Sequence, residues 1–116
     1  MSVPLRQRLR DALPAAMKAR DRVAVGALRA TLAAIENAEA PATATQHSLA
    51  IERSPVGVGA AEAARRVLTE EQVEQIVRAE MAEREAAARG YEEAGHDDRA
   101  AQLRTEIRLL DDHLRG

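Results

Sequence analysis

The side chains able to carry chemistry are unevenly spread. Glu80, Glu83 and Glu85 cluster in the second half, the histidines are His47, His96 and His113, and Lys18, Arg20, Arg22 and Arg29 gather near the start. Two carboxylates working as acid and base need a pocket that separates their pKa values. Here they alternate with Arg78, Arg84 and Arg89, as on a solvated helix surface. Glu80–Arg84 and Glu85–Arg89 have the i,i+4 spacing of stabilising pairs. The histidines fall in no HExxH or similar spacing. His96-Asp97-Asp98 and Asp111-Asp112-His113 imitate ligand sets. They sit at a helix turn and near a helix end, where capping and dipole complementarity account for them. With no cysteine, disulfides, thiol catalysis and thiolate metal sites are excluded. Gly57-Val58-Gly59 lacks the third glycine and the strand of a dinucleotide fingerprint. There is no GxSxG elbow, and Ser2, Ser48 and Ser54 have no evident base partner. The expectation is a chain with no catalytic residues, no cofactor and no metal.

The basic residues carry more information. The formal net charge is −2, yet residues 1–36 sum to +4 and residues 69–116 to −6. Lys18, Arg20, Arg22 and Arg29 flank one short turn. Such a cluster can grip a phosphate backbone through charge-assisted contacts. Two readings stand: the basic front end meets RNA, or it pairs with the acidic back end of the same molecule. No aromatic platform for unpaired bases accompanies it, because Tyr91 is the one aromatic residue.

These residues must be positioned by helices. Ala, Leu, Arg and Glu dominate, all good helix formers, and no stretch alternates as a strand does. The chain of 116 residues fits one all-α domain with a modest aliphatic core. Leu5, Leu9, Leu13 and Met17 form a one-sided stripe over a helix of about 4–20. Pro14 implies either a kink or an ordered helix that begins near it. Asp21 is an N-cap for a second helix over about 22–38, whose stripe is Val25, Leu28, Leu32 and Ile35. Gly26 lies inside it, at a cost of about 1 kcal/mol relative to alanine, and suggests a close helix–helix approach. From about 40 to 67, Pro41, Pro55, Gly57 and Gly59 dissolve the pattern into a long flexible loop, with a helical turn or two expected over Ala60–Arg66. Thr69-Glu70-Glu71-Gln72 is a capping box. It opens a helix of about 70–94, carried by Val73, Ile76, Val77, Met81, Ala88 and Tyr91. Gly95 is its C′ residue. Asp97 or Asp98 caps a last helix of about 98–114, where Ala100, Leu103, Ile107, Leu110 and Leu114 step 3-4-3-4. Two antiparallel hairpins packed as a small four-helix arrangement are expected.

The order of segments also resembles a known family. Ala16-Met17-Lys18-Ala19-Arg20-Asp21 is followed by Leu28-Arg29 and Ala33-Ala34-Ile35-Glu36-Asn37-Ala38-Glu39. Leu68-Thr69-Glu70-Glu71-Gln72-Val73, Tyr91-Glu92-Glu93-Ala94-Gly95-His96-Asp97-Asp98, Glu106 and Leu109-Leu110 come later. Over about residues 3–39 and 68–114 this succession resembles the YqeY (GatB/YqeY-like) family. The resemblance implies kinship with the tail of the B subunit of glutamyl/aspartyl-tRNA amidotransferase. That tail helps hold tRNA, while glutamine-dependent carbon–nitrogen ligation occurs elsewhere in the enzyme. Members usually continue past the position of Leu114 through a Leu-Pro step, whereas this chain stops at Arg115-Gly116. They also have a shorter connection than Ala40–Val67.

The expectation is therefore a cytoplasmic, non-catalytic accessory module. Its partner would be tRNA or an amidotransferase complex, with Lys18, Arg20, Arg22 and Arg29 as the RNA contacts. The competing reading is a helical protein–protein adaptor or homodimer, joined through the Leu103–Leu114 seam. No window approaches the ~18–20 apolar residues of a membrane span, and Arg6, Arg8 and Arg10 precede no apolar signal region.

Overall fold

A computed structural model describes residues 3–41 and 66–116. Its helices are α1 (Leu5–Lys18), α2 (Arg22–Glu39), α3 (Glu70–Glu93) and α4 (Asp97–Arg115). The all-α expectation holds, with boundaries within two residues of those read from the periodicity. Each helix packs against the other three. No helix is long and apolar enough to cross a membrane among the described residues. Most of the expected loop, His47, and all but the last residue of the expected turn at Ala60–Arg66 lie outside the described residues. Arg66 itself is not helical.

Local chemistry sets the helix ends. Asp21 accepts from the Ala24 N–H at 3.1 Å and so caps α2. Thr69 accepts from the Gln72 N–H at 3.1 Å, and Gln72 accepts from the Thr69 N–H at 2.8 Å, which completes the capping box of α3. Helix α1 runs unbroken through Pro14. The expectation that Asp97 or Asp98 caps α4 is corrected: His96 is the N-cap without a side-chain hydrogen bond, and both aspartates lie in the first turn. There they complement the positive end of the helix dipole.

At one pole the helix ends satisfy one another. Pro4 caps α1 with no side-chain donor or acceptor, and the open Leu5 N–H is instead accepted by Glu70 Oε2 of α3 at 2.9 Å. Arg8 of α1 donates to the last carbonyls of α4, through Nε to His113 at 2.9 Å and through Nη2 to Leu114 at 3.4 Å. The Arg66 N–H donates to the Glu39 carbonyl at 2.8 Å. The end of α2 is thereby joined to the approach of α3, and Arg6 forms an ion pair with Glu39. Both hairpin turns consequently lie at the opposite pole.

The core is aliphatic. Leu5, Leu9, Leu28, Ile35, Val77 and Leu110 are essentially inaccessible, and Ala12, Leu13, Leu32, Ile76, Met81 and Leu114 pack around them. Three expectations are corrected. Met17, assigned to the α1 stripe, is 48% exposed. Gly26 permits no close approach, since a Cβ there would meet nothing within 4 Å. Arg84 is not on a solvated face but stitches α3 to α4. Its Nε donates to Glu106 at 2.8 Å and its Nη1 to Glu80 at 3.2 Å, with all three side chains less than a fifth exposed. Burial opposes the Arg84 charge, yet the two carboxylates outweigh it and hold its pKa above the usual arginine value. Glu85–Arg89, by contrast, is the exposed pair expected, at 3.5 Å.

Thr31, in the middle of α2, is fully buried, and its hydroxyl has no hydrogen-bond partner among the described residues. A buried hydroxyl left unpaired costs more than an apolar group of the same shape. Thr31→Val is therefore expected to raise unfolding stability by about 1 kcal/mol, read as a higher urea midpoint at unchanged slope. Thr69→Ala is expected to lower it by about 1 kcal/mol through loss of the cap.

Candidate nucleic-acid interface

The turn between α1 and α2 and the turn between α3 and α4 are built the same way. After α1, Arg20 N–H donates to the Met17 carbonyl and Asp21 N–H to the Ala16 carbonyl, both at 3.0 Å. After α3, Gly95 N–H donates to the Glu92 carbonyl at 3.0 Å and His96 N–H to the Tyr91 carbonyl at 2.7 Å. This is the paired 5→2 and 6→1 pattern of a Schellman ending. Its C′ residue must be left-handed, which suits glycine. Gly95 obeys the rule with φ 83°, whereas the first turn places Arg20 there with φ 58°. Arg20 is the one non-glycine residue with positive φ among the described residues. A left-handed non-glycine residue costs roughly 1–2 kcal/mol.

Two further choices beside Arg20 also work against stability. Arg22 occupies the first position of α2, whose first turn holds no acidic residue. A cation there opposes the positive end of the helix dipole. Gly26 sits exposed inside α2 with open space beyond it. All three residues line one groove of about 480 Å³ with Met17, Val25 and Arg29. Arg22, Val25, Gly26 and Arg29 follow i, i+3, i+4, i+7 and so share one face of α2. Arg29 Nη2 lies 3.8 Å from Met17 Sδ, which brings the end of α1 and the face of α2 together.

Three of the four candidate RNA contacts, Arg20, Arg22 and Arg29, are thus brought together. Lys18 is exposed in the last turn of α1, does not line the groove, and complements the negative end of that helix. Among the described residues none of the four forms an ion pair.

Several other basic residues are used within the fold, whereas exposed Arg10, Arg78 and Arg108 also form no ion pair among the described residues. Arg6 and Arg8 are used internally, at Glu39 and at the end of α4. Arg84, Arg89, Arg104 and Arg115 all pair with carboxylates of α3 or α4. Arg104 forks onto Glu92, with Nη2 2.9 Å from Oε1, and reaches Glu85 at 3.3 Å. Its hydrogen bond to Glu92 is the main cause that holds that carboxyl below the usual range. The pairing of the basic front end with the acidic back end is not what Arg6 and Arg8 make: Arg6 meets Glu39 of α2 and Arg8 meets backbone carbonyls of α4. Arg6 and Arg8 thus join helices within the fold, while Arg20, Arg22 and Arg29 form no ion pair among the described residues.

The other candidates resolve as helix-end chemistry. His96, Asp97 and Asp98 border a hollow of about 400 Å³ with Gly95 and Arg99. No group of three or more His, Cys, Asp or Glu able to hold a metal exists among the described residues. Arg99 stacks 5.4 Å over the Tyr91 ring, and His96 meets that ring edge-on. His113 Nδ1 lies 2.9 Å from the Leu109 carbonyl. Sequence reasoning missed Met17 and Gly26 as parts of a surface. The available signal was the glycine, out of place in a run of helix formers.

If those residues sacrifice stability, substitution should restore it. Arg20→Gly is expected to raise unfolding stability by about 0.5–1 kcal/mol, from relief of the left-handed arginine less the added chain entropy. Arg22→Glu is expected to add about 0.5 kcal/mol at low salt and less at high salt. Both are read by urea titration. No protein-family model matches the chain, and no curated protein and no solved structure shows significant similarity to it.

Proposed function

We propose that the chain is a non-catalytic, YqeY-like accessory module of tRNA-dependent amidation that grips tRNA phosphates with Arg20, Arg22 and Arg29. The observation that carries the RNA part is Arg20. An arginine stands left-handed in a turn that takes glycine in its sister hairpin, and it does so beside two more guanidiniums that form no ion pair among the described residues. Local strain of this kind is held at functional sites. Guanidinium forks suit phosphate oxygens. The link to amidation rests on the order of helix caps and turns shared with the YqeY pattern. The module supplies no reacting group, and its contribution is to hold RNA for an enzyme that does the chemistry.

The seam on α4 favours this reading over a homodimer. Leu110 is fully buried and Leu114 packs on the core, so half of that seam is occupied by the chain itself. Leu103 and Ile107 are only half-buried, and they are what the adaptor reading retains.

Fluorescence-anisotropy titration of a labelled tRNA pool tests the proposal. Three phosphate contacts imply a log–log salt slope of about −2 to −3. The triple reversal Arg20→Glu, Arg22→Glu and Arg29→Glu should abolish binding while the helical circular-dichroism spectrum is retained. Absence of binding at low salt would overturn the proposal and favour a protein partner at Leu103 and Ile107.

A further inference from the structure

The groove holds more than charge. Its rim is Arg20, Arg22 and Arg29, but its floor is Met17, Val25 and the bare backbone of Gly26. Met17 is half-exposed, although it continues the apolar stripe of α1. A phosphate needs no such floor. It needs donors, and an apolar surface beneath it would only remove water. Nor does the fold need Gly26, since a Cβ there would enter open space, and the missing Cβ leaves the helix backbone accessible. The volume of about 480 Å³ lies within the range of clefts that take small ligands.

We infer that the groove takes an unpaired nucleotide of RNA, its base laid on the Met17–Gly26 floor beneath Arg29 and its phosphate on Arg20 and Arg22. Guanidinium planes stack on bases where aromatic residues are lacking, and a thioether makes favourable contacts with aromatic rings. Arg29 and Met17 already stand 3.8 Å apart at their tips, which places both kinds of contact at one spot. Arg22 and Arg29 are separated by two helical turns, roughly 10 Å along α2, so the floor lies between two charged posts. This inference rests on the anion-binding reading above and adds to it a preference for single strands.

Gly26→Leu tests it, because leucine favours the helix, its Cβ would meet nothing within 4 Å, and its longer side chain would cover the floor without changing charge. Binding of an unstructured oligoadenylate, a duplex RNA of equal length and inorganic polyphosphate is measured for both proteins at one salt concentration. The oligoadenylate should bind the unaltered protein tightest. Gly26→Leu should weaken it by about tenfold, the loss of one stacking contact, with duplex and polyphosphate unchanged. Met17→Ala should act in the same direction, whereas Lys18→Ala should not discriminate among the three. Equal binding of all three polyanions, with no selective effect of Gly26→Leu, overturns the base site and leaves the anion surface standing. No binding of any of them overturns both.

Discussion

The structure depends on how four helix termini close on one another at a single pole. Glu70 of α3 takes the open N–H of Leu5, Arg8 of α1 takes the last carbonyls of α4, and Arg66 meets the Glu39 carbonyl at the end of α2. Each contact satisfies a group that its own helix leaves open. The first two join different helices, the third ties the end of α2 to the segment leading into α3, and all three connect one hairpin to the other. An aliphatic core without Phe or Trp is adaptable in shape, so polar contacts of defined geometry have more of the orientation to set.

Both hairpin turns lie at the other pole. The two turns there share a backbone pattern but place glycine at the left-handed position of one and arginine at that of the other. The α3–α4 turn follows local preference, with acidic residues in the first turn of α4 and glycine at C′. The α1–α2 turn departs from it at Arg20, Arg22 and Gly26, and all three departures open on the same groove. Sequences that specify a fold agree across levels except at functional sites. The convergence of three such departures sets this groove apart from the hollows beside Asp97 and Tyr91.

Most of the fold was legible in the sequence because it is written in local signals. The Asp21 cap, the Thr69–Gln72 box and Gly95 each act within three or four residues, and each was found where expected. What was not legible depends on distant neighbours. The contact of Glu70 with Leu5 spans 65 residues, and the cross-helix arm of Arg84 to Glu106 was hidden behind its ordinary-looking i,i+4 spacing with Glu80. Met17 read as core because the four-residue step continues to it, although α1 has by then reached the edge of the core. Of the site, periodicity and charge found the arginines. The left-handed Arg20 and the exposed floor needed the backbone.

The central claim is that the first turn gives up stability for binding, and one triple variant tests it directly. Arg20→Gly, Arg22→Glu and Gly26→Ala together should raise unfolding stability by about 2 kcal/mol, while RNA affinity in the same preparation falls to background. A variant no more stable than the parent, or one that still binds RNA as tightly, would contradict the account.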